Sequence, residues 1–499
     1  MPTIVVSDPF ELAAAAAAAG AGSRIRIAPG RYHEPSNMID RQGRADAPII
    51  FEAAAPGQIS GGSQPDYRAG RSLPHLDGPG NPHWHDFAFL RLHGCSHIHI
   101  TGLTLGWFWP TILFLRDCSD ILIAGNTMRH GTNAIFATGC DRVTVEGNTW
   151  QQDDTEHHTL WHEVDWLEAH GGDGGMGTKR YYNGSFFAAK ATGNVAILRN
   201  TISDAYNGVR MKASEIPPAD EPEHNHNVVI EGNDFVRIRD NPIEPEFYAY
   251  NWRVAHNRIV DAHAWFSFDG VRGGYFYIYG NTARFTSRPG DPAAGTHTMG
   301  RVLKLSYLLA GAERPWSAQV PDYPWYVVHN SFALRCPIVG GAAERAPKPP
   351  SGGLTPDFTA NLTFANNVFE WCSQEKLGVH LCEWIALLRN FDVSSFDRVV
   401  FEASLTNRRD YLEQARSMKI GETAGIVAEA PLFAPEADGP FSLPEGSPGR
   451  GSAKVLEMKR PGRGRYVMRL NADGALHRGA VQEYGLVQLI DRDEGVPVG

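Results

Sequence analysis

Several absences narrow the reading of this sequence before any motif is sought. Its 499 residues contain no run of 18 or more apolar residues, so no segment reads as a membrane-crossing helix. The six cysteines form no close pairs, which removes the spacing of structural zinc sites and leaves no disulfide framework in view. Basic residues do not outnumber acidic ones. The formal net charge is −10, whereas a phosphate-backbone partner asks for a basic face, so nucleic acid is disfavoured. A global negative charge does not exclude a local basic groove for an acidic polysaccharide. The glycine-rich run 171–177 lacks the Lys-Ser/Thr ending of a phosphate loop. The apolar stretch 10–22 is short, and no basic residue precedes it, so it does not have the shape of a secretory leader. The expected location is cytoplasmic, or secreted or periplasmic for a chain from which a leader was removed. Asp8, Pro9 and Glu11 instead suit an N-cap, a first-turn proline and a capping-box glutamate, which predicts a short helix.

What is present is a repeat. Cys95-Ser-His-Ile-His-Ile-Thr-Gly, Cys118-Ser-Asp-Ile-Leu-Ile-Ala-Gly-Asn126 and Cys140-Asp-Arg-Val-Thr-Val-Glu-Gly-Asn148 stack at a spacing of 23 and 22 residues. The same frame continues at Asn200, Asn233, Asn257, Asn281, Asn330 and Asn367. Apolar residues fall five and three positions before the asparagine, as in Ile121/Ile123, Val143/Val145 and Val195/Ile197. That is the period-two pattern of a strand. The asparagine sits at the turn, where its amide bonds neighbouring backbone and a left-handed conformation is tolerated. Stacked coils let the asparagines bond one another in a ladder. A repeat this short cannot hold a four-stranded propeller blade, and the grammar of leucine-rich repeats is missing. The expectation is an all-β chain: a right-handed parallel β-helix solenoid with an N-terminal capping helix and loop insertions. Residues 1–60 are read as cap and first coils, 61–399 as the solenoid with its insertions, and 400–499 as a C-terminal helix (400–418), last coils and a covering cap.

On these residues the chain resembles the pectate-lyase-like superfamily. The stretches Ile25–Tyr32, Ala47–Phe51 and Ile59–Gly62 look like the usual start of that fold, and Phe441–Pro448 like its usual C-terminal segment. Such a fold holds lyases, hydrolases, epimerases and tailspikes, so it implies no single chemistry. A distant similarity to polysaccharide lyase family six centres on Glu244-Pro-Glu246, which stands where that family places a calcium-holding Glu-x-Glu pair. The lysine that follows in the family is absent, and Asn251 occupies that region.

Alternation also assigns faces to a second strand in each coil. Val209 and Met211 point inward and leave Arg210 and Lys212 outward. Ile243 inward leaves Glu244 and Glu246 outward. Phe266 and Phe268 inward leave Ser267 and Asp269 outward, and Leu303 and Leu305 inward leave Lys304 outward. The expectation is a vertical row of ionisable groups edged by His224, His226, Tyr248, Tyr250, Trp265, Tyr275 and Tyr277, with Arg272 in the next coil. The bland reading of that row is an alternating surface salt ladder. The functional reading is a groove for a polysaccharide or oligosaccharide, with sugar rings on the aromatics and hydroxyls on the charges. A β-eliminating lyase would use Glu244 and Glu246 for Ca²⁺, Lys212 or a loop His or Tyr as base, and Arg210 or Arg272 to neutralise a uronate. A glycoside hydrolase would use Glu244 or Glu246 with Asp269. A binding protein of the tailspike kind would use the same row without turnover. His158 and His162 have the spacing of a helical metal pair, without the intervening glutamate.

Overall fold

A computed structural model describes residues 3–33, 36–62, 88–164, 169, 182–212, 225–246, 248–269, 272–286, 301–306, 323–334, 338–340, 362–371, 399–417, 422–435, 441–462, 464–470, 476–480, 487–494 and 497. Each coil contributes one strand to each of three parallel sheets. Sheet A has 13 described strands, from Thr3–Val6 to Val399–Glu402; sheet B has 13, from Gly30–Arg31 to Ile426–Val427; sheet C has 10, from Ser36–Ile39 to Val339–Gly340. The chain runs C to A to B through successive coils. Contacts divide it into two compact bodies. The first holds residues 1–216, 223–245 and 289–294, and the second 217–222, 246–288 and 295–499.

The register follows the repeat read from the sequence. Ile121 pairs with Ile98 and Val143, and Ile123 with Ile100 and Val145. These side chains are buried, so each coil stacks like on like. In each body the asparagines form a ladder. In the first, Asn126 Nδ2 donates to Asn148 Oδ1 (2.9 Å), Asn148 to Asn200 (3.0 Å) and Asn200 to Asn233 (2.9 Å). In the second, Asn257, Asn281, Asn330 and Asn367 repeat the pattern. Ladder asparagines also donate to strand carbonyls, as Asn148 does to that of Ile123.

The left-handed residue at this corner is not the asparagine but the one before it. Gly125, Gly147, Gly232 and Gly280 have φ of 63–68° there, and Arg199, His256, His329 and Asn366 adopt 52–55°. Glycine recurs at this position because it has no Cβ penalty. The asparagine is left to spend its amide on the ladder.

The N-terminal helix spans Pro9–Ala18. Asp8 Oδ1 accepts from the amides of Phe10 and Glu11 at 2.8 Å, and Glu11 reaches back to the Ser7 amide at 2.7 Å. In the C-terminal part the helix begins only at Arg409, because Val399–Glu402 still forms a strand of sheet A. Leu443 packs on Val368 and Leu405 of the last described coils, and the antiparallel strands Glu457–Lys459, Arg465–Leu470 and Val487–Asp491 cover the flank of sheet A within the second body. There Tyr277, Tyr326 and Tyr466 are buried together, and Tyr277 Oη donates to the Lys459 carbonyl at 2.6 Å. His329 is enclosed beside this cap. Its Nδ1 lies 3.2 Å from the His477 carbonyl and its Nε2 3.0 Å from Asn366 Nδ2. These partners assign a neutral ring protonated at Nδ1, and burial pulls its pKa down to about 4.

Two outcomes follow. Replacing Asn148 with alanine strips partners from buried amides on two coils and should cost about 3 kcal/mol in a denaturant titration. His329 binds a proton in the unfolded chain near its ordinary value of about 6.5 but resists it when folded. Stability should therefore fall as pH drops from about 6.5 towards 4, by about 3 kcal/mol in all, and His329→Gln should flatten that slope.

Candidate functional site

Sheet C of the first body carries the charged face. The strand Asn207–Lys212 pairs in register with Ser185–Lys190, so that Arg210 is level with Ala188 and Lys212 with Lys190. Val209 and Met211 are buried, and Arg210 and Lys212 are half-buried on the other face. On the next coil the Val209 amide donates to the Pro242 carbonyl at 2.8 Å. That bond aligns Arg210 with Glu244, and Arg210 Nε lies 3.3 Å from Glu244 Oε2. Arg210 Nη1 also donates to Asn183 Oδ1 at 3.4 Å, from the end of the insertion that precedes sheet C. Glu244, expected outward in an open groove, is instead only 4 % exposed. Its charge is matched by a guanidinium.

Tyr206 is buried at the start of this strand, and its hydroxyl is held well above the ordinary tyrosine range by burial, with Asp240 adding to the effect. Arg239 is wholly buried beside it in the chain fold. Its Nε donates to the Val164 carbonyl at 2.6 Å, and its terminal nitrogens meet no hydrogen-bond acceptor among the described residues. Neither Arg239 nor Tyr206 was a sequence candidate, because nothing in the repeat marks the turn between sheets B and C.

The remaining candidates divide. His226 begins a strand of sheet A, where its ring packs against the bare face of Gly193, so it does not edge sheet C. His224 lies outside the described residues. In the second body Trp265 is a correction: it is fully buried and stacks on Phe285 at 5.0 Å, an interior anchor rather than a groove wall. Tyr277 is likewise buried, under the C-terminal cap. Lys304 is half-buried but level with the buried Ser267, while Asp269 is level with Ser306. Lys304 and Asp269 are thus two positions out of step, and the expected vertical pairing of these two does not form. Glu246 is half-buried at the end of its strand. Tyr248 and Arg272 face one another as backbone partners on sheet A. Tyr250, half-buried, meets Tyr275 and Tyr323 edge to face at 5.4 and 5.6 Å.

The histidine-rich insertion holds a different device from the helical metal pair. His158 has φ of 49° and precedes a short helix, Thr159–Glu163, so it does not share a helical face with the exposed His162. Its Nδ1 lies 2.9 Å from Oδ1 of the fully buried Asp204. Arg237 Nη2 donates to Asp204 Oδ2 at 2.8 Å, and Gln151 reaches the same oxygen at 3.3 Å. Asp153 caps the insertion's helix by accepting from the Leu160 amide at 2.7 Å. His130, stacked on Trp107 at 3.5 Å, places Nε2 3.0 Å from Asp154. Among the described residues no group of three or more His, Cys, Asp or Glu side chains is placed to hold a metal ion.

A family model described as a right handed beta helix region matches residues 88–287. The chain is a right-handed parallel β-helix. A comparison with curated proteins finds no match. Among solved structures, this β-helix is similar to the PL6 family alginate lyase AlyGC (11 % identity, TM-score 0.44), covering 99 % of this chain and 58 % of that one. It is also similar to a Family 28 exopolygalacturonase from Yersinia enterocolitica (10 %, TM-score 0.44, 81 % and 74 %). A third is a GH136 lacto-N-biosidase from Eubacterium ramulus (10 %, TM-score 0.42, 81 % and 67 %). The chain spans little more than half of the alginate lyase's length, and these likenesses concern the fold.

Asp204 is the polar anchor of the insertion. Arg237→Ala leaves a buried carboxylate with one cationic partner fewer and should cost about 3 kcal/mol. Limited proteolysis within 152–164 should accelerate in that variant; unchanged cleavage would show that the anchor does not hold this limb.

Proposed function

We propose that this β-helix is a carbohydrate-active enzyme that cleaves a uronate-containing polysaccharide by β-elimination, with sheet C as its working face. The observation that carries the reading is the pair of cations on one face of Asn207–Lys212, the first braced by Glu244 at 3.3 Å. Two residues along a strand separate side chains by about 6.6 Å, a span comparable to one sugar ring. A proton next to a uronate carboxyl leaves only when the charge building on that carboxyl is neutralised. Arg210 supplies the neutralising charge, and Glu244 with Asn183 keeps its guanidinium in place. Lys212 acts as the general base and takes the proton. The electron pair of the broken C–H bond forms the new double bond, and the glycosidic oxygen departs with the other half of the chain, taking up a proton from solvent.

A calcium site at Glu244 fits less well. The cation needs roughly six to eight oxygen ligands, whereas this carboxylate faces a guanidinium. No step is therefore assigned to calcium, and charge neutralisation falls to arginine.

The test is a panel of acidic and neutral glycans, followed by ultraviolet absorbance of the unsaturated product and by reducing ends, with and without chelator. The expected result is rising absorbance on an acidic glycan that persists in chelator. Arg210→Ala should lower kcat/KM by about 10²–10³-fold, and Lys212→Ala by about 10²–10⁴-fold. Reducing ends without absorbance would replace the lyase with a hydrolase, activity lost in chelator would restore the metal, and retention without turnover would leave a binding protein.

A further inference from the structure

The corner where sheet B turns into sheet C carries a second polar column in the first body. Thr111 pairs in register with Asn133, and Ser185 with Asn207; Asn241 follows on the next coil. All are buried. The asparagines here reach one coil ahead: Asn133 Oδ1 accepts from the Ser185 amide at 2.9 Å, and Asn207 Oδ1 from the Asn241 amide at 3.0 Å. The hydroxyl residues do not reach. The Asn207 amide, one coil beyond Ser185, donates instead to the Gly184 carbonyl at 3.0 Å. Ser185 Oγ and Asn207 Nδ2 therefore both lie in the interior with no hydrogen-bond partner among the described residues.

We propose that this position binds a buried water molecule that accepts from Asn207 Nδ2 and donates to Ser185 Oγ. Three physical arguments converge on it. A buried polar group without a partner carries a desolvation cost that native interiors avoid, and two such groups side by side are relieved by one water. Adjacent parallel strands lie about 4.8 Å apart. A water making two bonds of about 2.8 Å at a near-tetrahedral angle spans about 4.6 Å, so one molecule matches one step of the solenoid. Side-chain size supplies the space. Serine stands here between Asn133 and Asn207, and the amide it lacks corresponds roughly to the volume of one water, about 30 Å³. Thr111, one coil before Asn133, shares the hydroxyl half of the pattern: its Oγ1 is buried and has no partner among the described residues.

The bound water has a positional consequence. Asn207 heads the strand that presents Arg210 and Lys212, and the bridge ties that strand end to the preceding coil through a side-chain contact the backbone register does not supply. The inference rests on the fold and the unpartnered atoms alone, so it stands or falls independently of the proposed activity.

The experiment is a high-resolution crystal structure of the full chain, with denaturant titrations of two variants. Expected is a density peak within hydrogen-bonding distance of both Ser185 Oγ and Asn207 Nδ2. Ser185→Ala should weaken the folding equilibrium about fivefold, since the water loses an anchor. Ser185→Asn should stay within about twofold of the parent, because the longer amide takes the place of hydroxyl plus water. Three results would each overturn the inference: no peak at that position, a Ser185→Ala variant more stable than the parent, or a Ser185→Asn variant too crowded to fold.

Discussion

The parallel strand spacing is the constraint from which the rest follows. One coil must rise by a single strand width while returning to the same three faces, so every position in a coil has a vertical neighbour of the same kind. Ile121 lies between Ile98 and Val143, and Asn148 between Asn126 and Asn200. A buried amide is costly alone and cheap in such a stack, because each member satisfies the next. The ladder also explains the left-handed residue before each asparagine, which is glycine at four of the eight corners: the chain must turn there, and glycine makes the turn with no side chain to crowd the coil above.

The same rule makes interruptions meaningful. A coil that inserts thirty residues must still rejoin its register, and the described limb of the insertion, 152–164, is held by polar clamps as well as apolar packing. Asp204, fully buried, draws His158, Arg237 and Gln151 to one carboxylate. Arg239 fastens the far end of the described limb through the Val164 carbonyl. Buried charges of this kind are expensive unless held by several partners, which ties the insertion's path to the coils beneath it. The strand carrying Arg210 and Lys212 lies one coil beyond the end of that insertion, and Arg210 reaches back to its Asn183.

Much of this architecture was legible in the primary sequence, and for a definite reason. Period-two alternation and a repeat of 22–23 residues are local signals, and a solenoid converts local signals into vertical neighbours without further information. The asparagine ladder, the inward set Val209, Met211, Ile243 and Phe266, and the Asp8 cap of the first helix are all consequences of short-range pattern. So is the outward placement of Arg210 and Lys212, which needs only the parity of the strand.

Tertiary structure decided what parity cannot. It buried Glu244 against Arg210, set Lys304 opposite Ser267 rather than Asp269, and turned Trp265 into the interior, because register between coils depends on turn lengths and packing rather than on face alone. It moved His226 to sheet A and paired His158 with Asp204 instead of His162, since a left-handed residue ahead of a short helix breaks the helical spacing the sequence suggests. The sequence by itself determined that coils would stack and which apolar residues of each strand would turn inward. Only the folded chain determined which charges meet, because a meeting of side chains from separate coils depends on distances that no single stretch of sequence encodes.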